Sequence, residues 1–178
     1  MVHPMTPHLT DTLCTNCGLC CDGTLFADVE LVGEAEIARL ETMGMAVDEE
    51  DTNRGLLSQP CAALRRRRCV IYAHRPKCCR TFECHLLQNA QLGTVTVERA
   101  MEQIAVARNQ IDRVRDLLDR LKNRDKDLPL KERCEETLAG EGGTTSEVIR
   151  DRSELEVAMA TLERTIWNTF LGNGPRGE

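Results

Sequence analysis

The cysteines of this chain are its candidate residues for metal binding or redox chemistry, both by their number and by their spacing. The chain has ten among 178 residues, and nine of them lie before residue 90. The first four follow the pattern C-x-x-C-x-x-C-C, at Cys14, Cys17, Cys20 and Cys21. A C-x-x-C pair lets two sulfurs approach one metal ion from a tight turn, and closely repeated thiols are also typical of iron–sulfur proteins. We therefore predict a metal site here, with the adjacent Cys20 and Cys21 serving different metals or different atoms of one cluster.

A second block of thiols follows between residues 60 and 87. Its candidate ligands are Cys61, Cys69, Cys79 and Cys84, separated by seven, nine and four residues. These intervals are too long for one tight turn, so loops must bring the second block back to the first. Tetrahedral zinc takes four thiolates, and a four-iron cluster also takes four. Eight thiolates are therefore compatible with zinc or with an iron–sulfur centre, and with one centre or two.

The setting of these thiols argues for metal ligation rather than for disulfides. The N-terminus, MVHPMTPHLTDTL, has neither a basic start nor an apolar stretch, so it does not resemble a signal peptide. No apolar run approaches the roughly 20 residues that span a membrane. We therefore expect a cytoplasmic protein. A reducing compartment favours metal binding or redox chemistry in a cysteine-rich chain.

The charged residues of the chain indicate which partners it binds and what surrounds its thiols. The net charge of −6 argues against general nucleic-acid binding, because neutralising phosphates requires a basic surface. The run Arg65–Arg68 is accordingly interpreted as a solvated loop tip. Between residues 52 and 82 there is no Asp or Glu, and basic surroundings stabilise thiolates. The residues expected to surround the metal without binding it are Arg75 and Arg80 by charge, and Tyr72 and Phe82 by excluding water.

Three stretches together resemble the YkgJ-type cysteine-cluster family (CxxCxxCC), whose members are described as zinc- or iron-chelating domains. They read C-T-N-C-G-L-C-C from Cys14, P-C-A-A-L from Pro60 and C-V-I-Y-A-H-R-P-K-C-C-R-T-F-E-C from Cys69. The resemblance covers roughly residues 14 to 87. It implies that a zinc or iron ion, or an iron–sulfur cluster, is bound by Cys14, Cys17, Cys20, Cys21, Cys61, Cys69, Cys79 and Cys84.

Several alternatives remain open within this interpretation. Cys78 and Cys134 lie outside the family pattern, but Cys78 competes with Cys79 as a ligand, and His74 or His85 could replace one. A structural, metal-handling or redox and sensing role is favoured. A related cysteine-cluster segment occurs in flagellin lysine methylases, so the alternative is an enzyme of protein modification or a metal-dependent enzyme. The sequence carries no convincing strand–glycine–helix site for S-adenosylmethionine.

The secondary structure predicted from the sequence differs between the two halves of the chain. Apolar residues recur at alternate steps of three and four over residues 97–121 and again over 148–170, which predicts two amphipathic helices. Two such helices fold back most simply as an antiparallel hairpin. Its uncovered apolar flanks predict self-association or a protein partner. In the first half, good helix formers predict a helix over residues 34–43, ended by Gly44.

The predicted fold is mainly α-helical. An irregular, cysteine-rich lobe with short helices is organised by metal and joined to the C-terminal helical hairpin. Within the lobe, residues 14–23 and 48–51 are expected to form loops, and residues 69–72 a short strand. The predicted divisions are a flexible N-terminus (1–13), a metal-binding domain (14–90), the hairpin (94–171) and a disordered tail (172–178).

Overall fold

Helices dominate the computed structural model, which describes residues 9–51, 53–140, 143 and 145–172. This confirms the mainly α-helical prediction. Most of the two termini that were predicted to be flexible or disordered, residues 1–8 and 173–178, lie outside the described residues. The helices in the described part of the chain are α1 (Leu9–Cys17), α2 (Glu34–Thr42), α3 (Lys77–Thr81), α4 (His85–Gln91), α5 (Val97–Arg120), α6 (Leu130–Ala139) and α7 (Ser146–Thr165). A 3₁₀ turn spans Tyr72–His74, and α7 continues as a π-helical turn over Ile166–Leu171.

The strands form two small antiparallel sheets. One has the order β1-β3-β2, and the other pairs β4 with β5. The strands are β1 (Asp28–Val32), β2 (Asp48–Asp51), β3 (Arg54–Ser58), β4 (Leu64–Arg65) and β5 (Arg68–Cys69). Residues 48–51 were predicted to form a loop, and this was wrong because their backbone pairs with β3. A Cβ atom at Gly55 would lie 2.6 Å from the Val47 side chain, so the missing side chain allows that close approach.

Helix α1 corrects the prediction at the N-terminus. It begins at Leu9, within the segment expected to be flexible, and it continues to Cys17, within the segment expected to be a loop. Its driving force is apolar burial, since Leu13 and Cys17 lie four residues apart and are both buried on one helical face. The helix ends at Gly18, whose φ of +67° is the left-handed conformation that glycine adopts most readily.

Two hydrophobic cores organise the molecule. The sheet core contains Leu31, Ile37, Leu40, Met45, Leu57 and Ala63, so it joins α2 to the larger sheet. The helical core draws buried residues from α1, α4, α5, α6, α7 and the π-helical turn, among them Leu13, Leu86, Ile111, Leu118, Cys134, Leu155 and Phe170. The helical core contains residues from both sides of residue 90, where the predicted metal-binding domain ends. The predicted domain boundaries stay predictions.

Helices α5 and α7 lie where the two apolar stripes predicted them. Arg120 Nη1 lies 3.2 Å from Asp151 Oδ1, and Arg113 pairs with Glu154, so the C-terminal half of α5 faces the N-terminal half of α7. The connection between them contains α6, which the two-helix prediction lacked. It is anchored by Leu130 and Cys134, which are buried four residues apart.

The outer surface of α5 and α7 keeps some apolar side chains in solvent. Val106, Ile149 and Val157 are each more than half exposed along a groove between the two helices. The self-association or protein partner predicted for this surface stays a prediction. None of the described helices is long and apolar enough to cross a membrane.

Candidate metal centre

A single cavity of about 500 Å³ gathers the thiols of the N-terminal half. It is lined by all eight candidate ligands and by Cys78, in the order Cys14, Cys17, Cys20, Cys21, Cys61, Cys69, Cys78, Cys79 and Cys84. All ten cysteines lie in the described residues, and all are free thiols. Cys134 is buried in the helical core instead. The structure thus brings together residues that the sequence spreads over 71 positions, from Cys14 to Cys84.

The thiols line the cavity, but their sulfur atoms do not meet around one position. Among the described residues, no three His, Cys, Asp or Glu side chains form a group that could hold one metal ion. Burial raises the pKa of Cys14 to about 11 and the pKa of Cys17 to about 12. Neighbouring cysteines raise these pKa values further, because thiolates repel one another. Cys14 and Cys17 are therefore stable as neutral thiols near neutral pH.

Helices α1 and α4 supply one side of the cavity. Cys14 and Cys17 are three residues apart on α1, and Cys84 is the N-cap residue of α4, which packs against α1. Burial raises the pKa of Cys84, while the backbone N–H groups of Leu87 and Leu86 at the start of α4 oppose the rise. Backbone N–H groups aimed at a sulfur stabilise its thiolate, which is the form that binds metal.

The β4–β5 hairpin supplies the opposite side. Cys69 pairs with Leu64 across the hairpin, and the Leu64 N–H donates to the Cys61 carbonyl oxygen at 2.9 Å. This folding explains the seven-residue interval between Cys61 and Cys69. The Cys61 N–H in turn donates to the Cys21 carbonyl oxygen at 2.8 Å, which attaches the hairpin to the first cysteine block. Arg65–Arg68 form the exposed tip, as expected for a solvated turn.

Helix α3 presents two adjacent thiols to the cavity. The interaction between the adjacent Cys78 and Cys79 thiols lowers the pKa of Cys78 to about 7 and raises the pKa of Cys79. Burial raises the pKa of Cys79 further. Both thiols reach the cavity, and the assignment of Cys79 as the ligand stays a prediction.

The side chains expected to surround the metal also line the cavity: Tyr72, Arg75, Arg80 and Phe82. The Arg75 guanidinium lies 3.6 Å from the centre of the Tyr72 ring, and its Nε donates to the Tyr72 carbonyl oxygen at 3.1 Å. Phe82 meets Phe26 edge to face, with ring centroids 5.1 Å apart. Neither His74 nor His85 is among the lining residues; His85 contacts Asn89 and Gly172 instead.

A buried ion pair behind the cavity was missed by the sequence analysis. Arg108 Nη1 lies 2.5 Å from Asp22 Oδ2, and the two side chains are 8% and 6% exposed. An arginine on an amphipathic helix ordinarily faces solvent. Arg108 points inward because Asp22, which directly follows the first cysteine block, offers a buried partner. A Cβ atom at Gly18 would lie 3.0 Å from Arg108 Nη2, so the guanidinium also abuts the turn between Cys17 and Cys20.

Comparison with known proteins gives one match. A model of the CxxCxxCC family, described as a "putative zinc- or iron-chelating domain", matches residues 13–107. The match covers more than half of the chain and runs from α1 past the last cavity cysteine into α5. No curated protein and no solved structure matches the chain.

Proposed function

Because this chain belongs to the CxxCxxCC family of zinc- or iron-chelating domains, we propose that it is a metal-binding protein with a resident centre. The metal is zinc or iron, the latter as an ion or within an iron–sulfur cluster. Its proposed ligands are Cys14, Cys17, Cys20, Cys21, Cys61, Cys69, Cys79 and Cys84. The free thiols suit a reducing compartment, so the proposal includes a cytoplasmic location.

The observation that carries this proposal is the shared cavity wall. Nine thiols from α1, the turn after it, the β4–β5 hairpin, α3 and the start of α4 face one space. Thiolates are soft ligands that select zinc or iron–sulfur clusters over hard cations such as calcium. A bound cation would also relieve the repulsion between neighbouring thiolates that raises their pKa values. The donor set therefore fits the proposed metals.

The proposed role is to hold the fold together. The segment that carries Cys61, Cys69 and Cys79, residues 59–81, has only Gln59, Ala63 and Pro76 buried. Apolar burial alone therefore stabilises this segment weakly. Structural zinc sites contribute about 10–16 kcal/mol of apparent binding free energy, against a usual total stability of about 5–15 kcal/mol. Metal ligation would thus dominate the stability of the lobe around the cavity.

Anaerobic purification followed by elemental analysis and an absorption spectrum tests the proposal. Zinc gives a colourless protein, whereas an iron–sulfur centre gives a brown protein with acid-labile sulfide. The matched control is Cys134→Ser, which removes a cysteine outside the cavity and is expected to leave the metal content unchanged. A wild-type chain that takes up neither zinc nor iron after reconstitution would refute the proposed function.

A further inference from the structure

The two hydrophobic cores divide the cavity thiols between them. Cys17 is part of the helical core, and Cys14 and Cys84 pack against that core. The thiols that pack against the sheet core are Cys61, Cys69 and Cys78. The cavity therefore has one wall fixed by helices and another fixed by the sheet, and each wall carries its own cysteines.

Local backbone structure keeps the members of each set close to one another. One turn of α1 separates Cys14 from Cys17, and the packing of α4 on α1 adds Cys84. On the other wall, the β4–β5 hairpin returns Cys69 toward Cys61. Each wall thus contributes its own thiols to the cavity from its own local fold.

Cys20 and Cys21 lie where the chain passes from one wall to the other. Cys20 directly follows Leu19, which is fully buried in the helical core, so the backbone at Cys20 is anchored to the helical wall. The Cys21 carbonyl oxygen accepts the Cys61 N–H, which ties its residue to the hairpin.

We propose that the cavity holds two four-thiolate centres, with the chain crossing from one to the other between Cys20 and Cys21. This inference rests on the proposed function and extends it by dividing the ligands. The helical centre is formed by Cys14, Cys17, Cys20 and Cys84, and the sheet centre by Cys21, Cys61, Cys69 and Cys79. Four thiolates complete a tetrahedral zinc site or the ligand set of a four-iron cluster.

Arg75 occupies a position that suits two neighbouring anionic centres. Its side chain lines the cavity, and its Nη1 donates to the Cys79 carbonyl oxygen at 3.4 Å. Zinc bound by four thiolates carries a net charge of about −2, so two such sites repel each other. A guanidinium held by the Tyr72 ring and carbonyl oxygen would offset part of that repulsion.

Paired substitutions test the division. The metal-free chain is reconstituted with zinc, and zinc per chain is measured after removal of the excess. Cys84→Ser and Cys69→Ser are each expected to halve the zinc content. Cys14→Ser/Cys84→Ser, which falls within one set, should keep the other half, whereas Cys84→Ser/Cys69→Ser should lose almost all of it. Cys78→Ser and Cys134→Ser are the controls and should keep full content.

Cadmium-113 NMR on the unsubstituted chain tests the division without depending on whether any variant folds. Two resonances, each at a position typical of four sulfur ligands, are expected after reconstitution with cadmium. A single resonance, or a within-set double variant that loses all its zinc while its helicity is unchanged, would overturn the division. So would a Cys78→Ser chain that loses zinc while Cys79→Ser keeps it. A wild-type chain that binds no metal refutes instead the function on which the inference rests.

Discussion

At the scale of single residues, the cysteines fall into two kinds with opposite roles. Those that line the cavity are proposed to lose their protons to metal, whereas Cys134 keeps its proton in an apolar setting. Cys134 is 2% exposed, and burial raises its pKa from 9.0 to about 11. A buried thiol of this sort packs as a small hydrophobic side chain.

This difference predicts how stability depends on pH. The pKa of Cys134 is higher in the folded than in the unfolded chain. The protonated thiol therefore stabilises the fold below pH 9, and this contribution is lost as the pH rises toward about 11. In the metal-loaded protein the ligand thiols are already deprotonated, and Cys78, which is not a proposed ligand, is common to wild type and Cys134→Ala, so the difference between these two chains reports the titration of Cys134. Between pH 8 and about pH 10.5, wild type should lose about 2 kcal/mol more unfolding free energy than Cys134→Ala.

Urea unfolding of the two metal-loaded chains at both pH values measures this difference. Lysine and tyrosine titrations are common to both proteins and cancel in the comparison. If the stability of the two chains falls in parallel across this range, the side chain of Cys134 is not buried as described.

The eight thiols that the sequence singled out all line the cavity, but Cys78, which lies outside the family pattern, lines it as well. Which of these thiols bind metal stays a prediction. Residue types and intervals could not predict the ion pair behind the cavity. Arg108 and Asp22 are 86 positions apart, and an arginine on an amphipathic helix ordinarily faces solvent. Only the packing of α5 behind the first cysteine block turns that side chain inward.

At the scale of elements, this ion pair connects the turn after α1 to α5. Removing Arg108 would leave the Asp22 carboxylate buried with the partly exposed Arg115, at 3.4 Å, and the Thr24 N–H, at 3.1 Å, as its partners in the described part of the chain. Breaking one side of a buried pair costs about 3–5 kcal/mol, whereas replacing both partners with neutral groups costs much less. Arg108→Met should therefore lower the unfolding free energy strongly, and Asp22→Asn/Arg108→Met should restore much of it.

Chemical denaturation of both variants measures the effect, with Arg113→Met on the exposed side of α5 as the matched control. Arg113 pairs with Glu154 at the surface, and exposed ion pairs contribute about 0–1 kcal/mol. Equal destabilisation by Arg108→Met and Arg113→Met would contradict a buried role for Arg108.

The elements themselves were predictable where a periodic pattern was long enough. The apolar patterns over residues 97–121 and 148–170 correspond to α5 and α7. Helix α2 ends just before Gly44, as expected. Helix α1 was missed because its cysteines suggested a loop, although Leu9 and Leu13 share the apolar face. Strand β2 was missed because its sequence is acidic, and its pairing with β3 depends on a partner strand rather than on its own residues.

At the scale of the whole molecule, the two cores are expected to respond differently to the loss of metal. The helical core is extensive and includes fully buried Ile111, Leu118, Leu155 and Phe170. The sheet core is small, and the segment joining it to the cavity has little apolar burial. If metal organised the whole cysteine-rich lobe, a chelator would unfold residues 14–87 and leave the helical hairpin folded. Since α1 and α4 belong to the helical core, we instead expect the unfolding to be confined mainly to residues 26–82.

Hydrogen exchange before and after complete metal removal tests this expectation. Amides of β1, β3 and α3 should lose most of their protection, because their opening free energy depends on metal ligation. Amides of α5 and α7 should keep theirs, and α1 and α4 should change only moderately because Leu13, Leu86 and Leu87 still pack on α5. A uniform loss of protection across both cores would mean that the molecule unfolds as one cooperative unit, and the cavity would then stabilise the helices as strongly as it does the sheet.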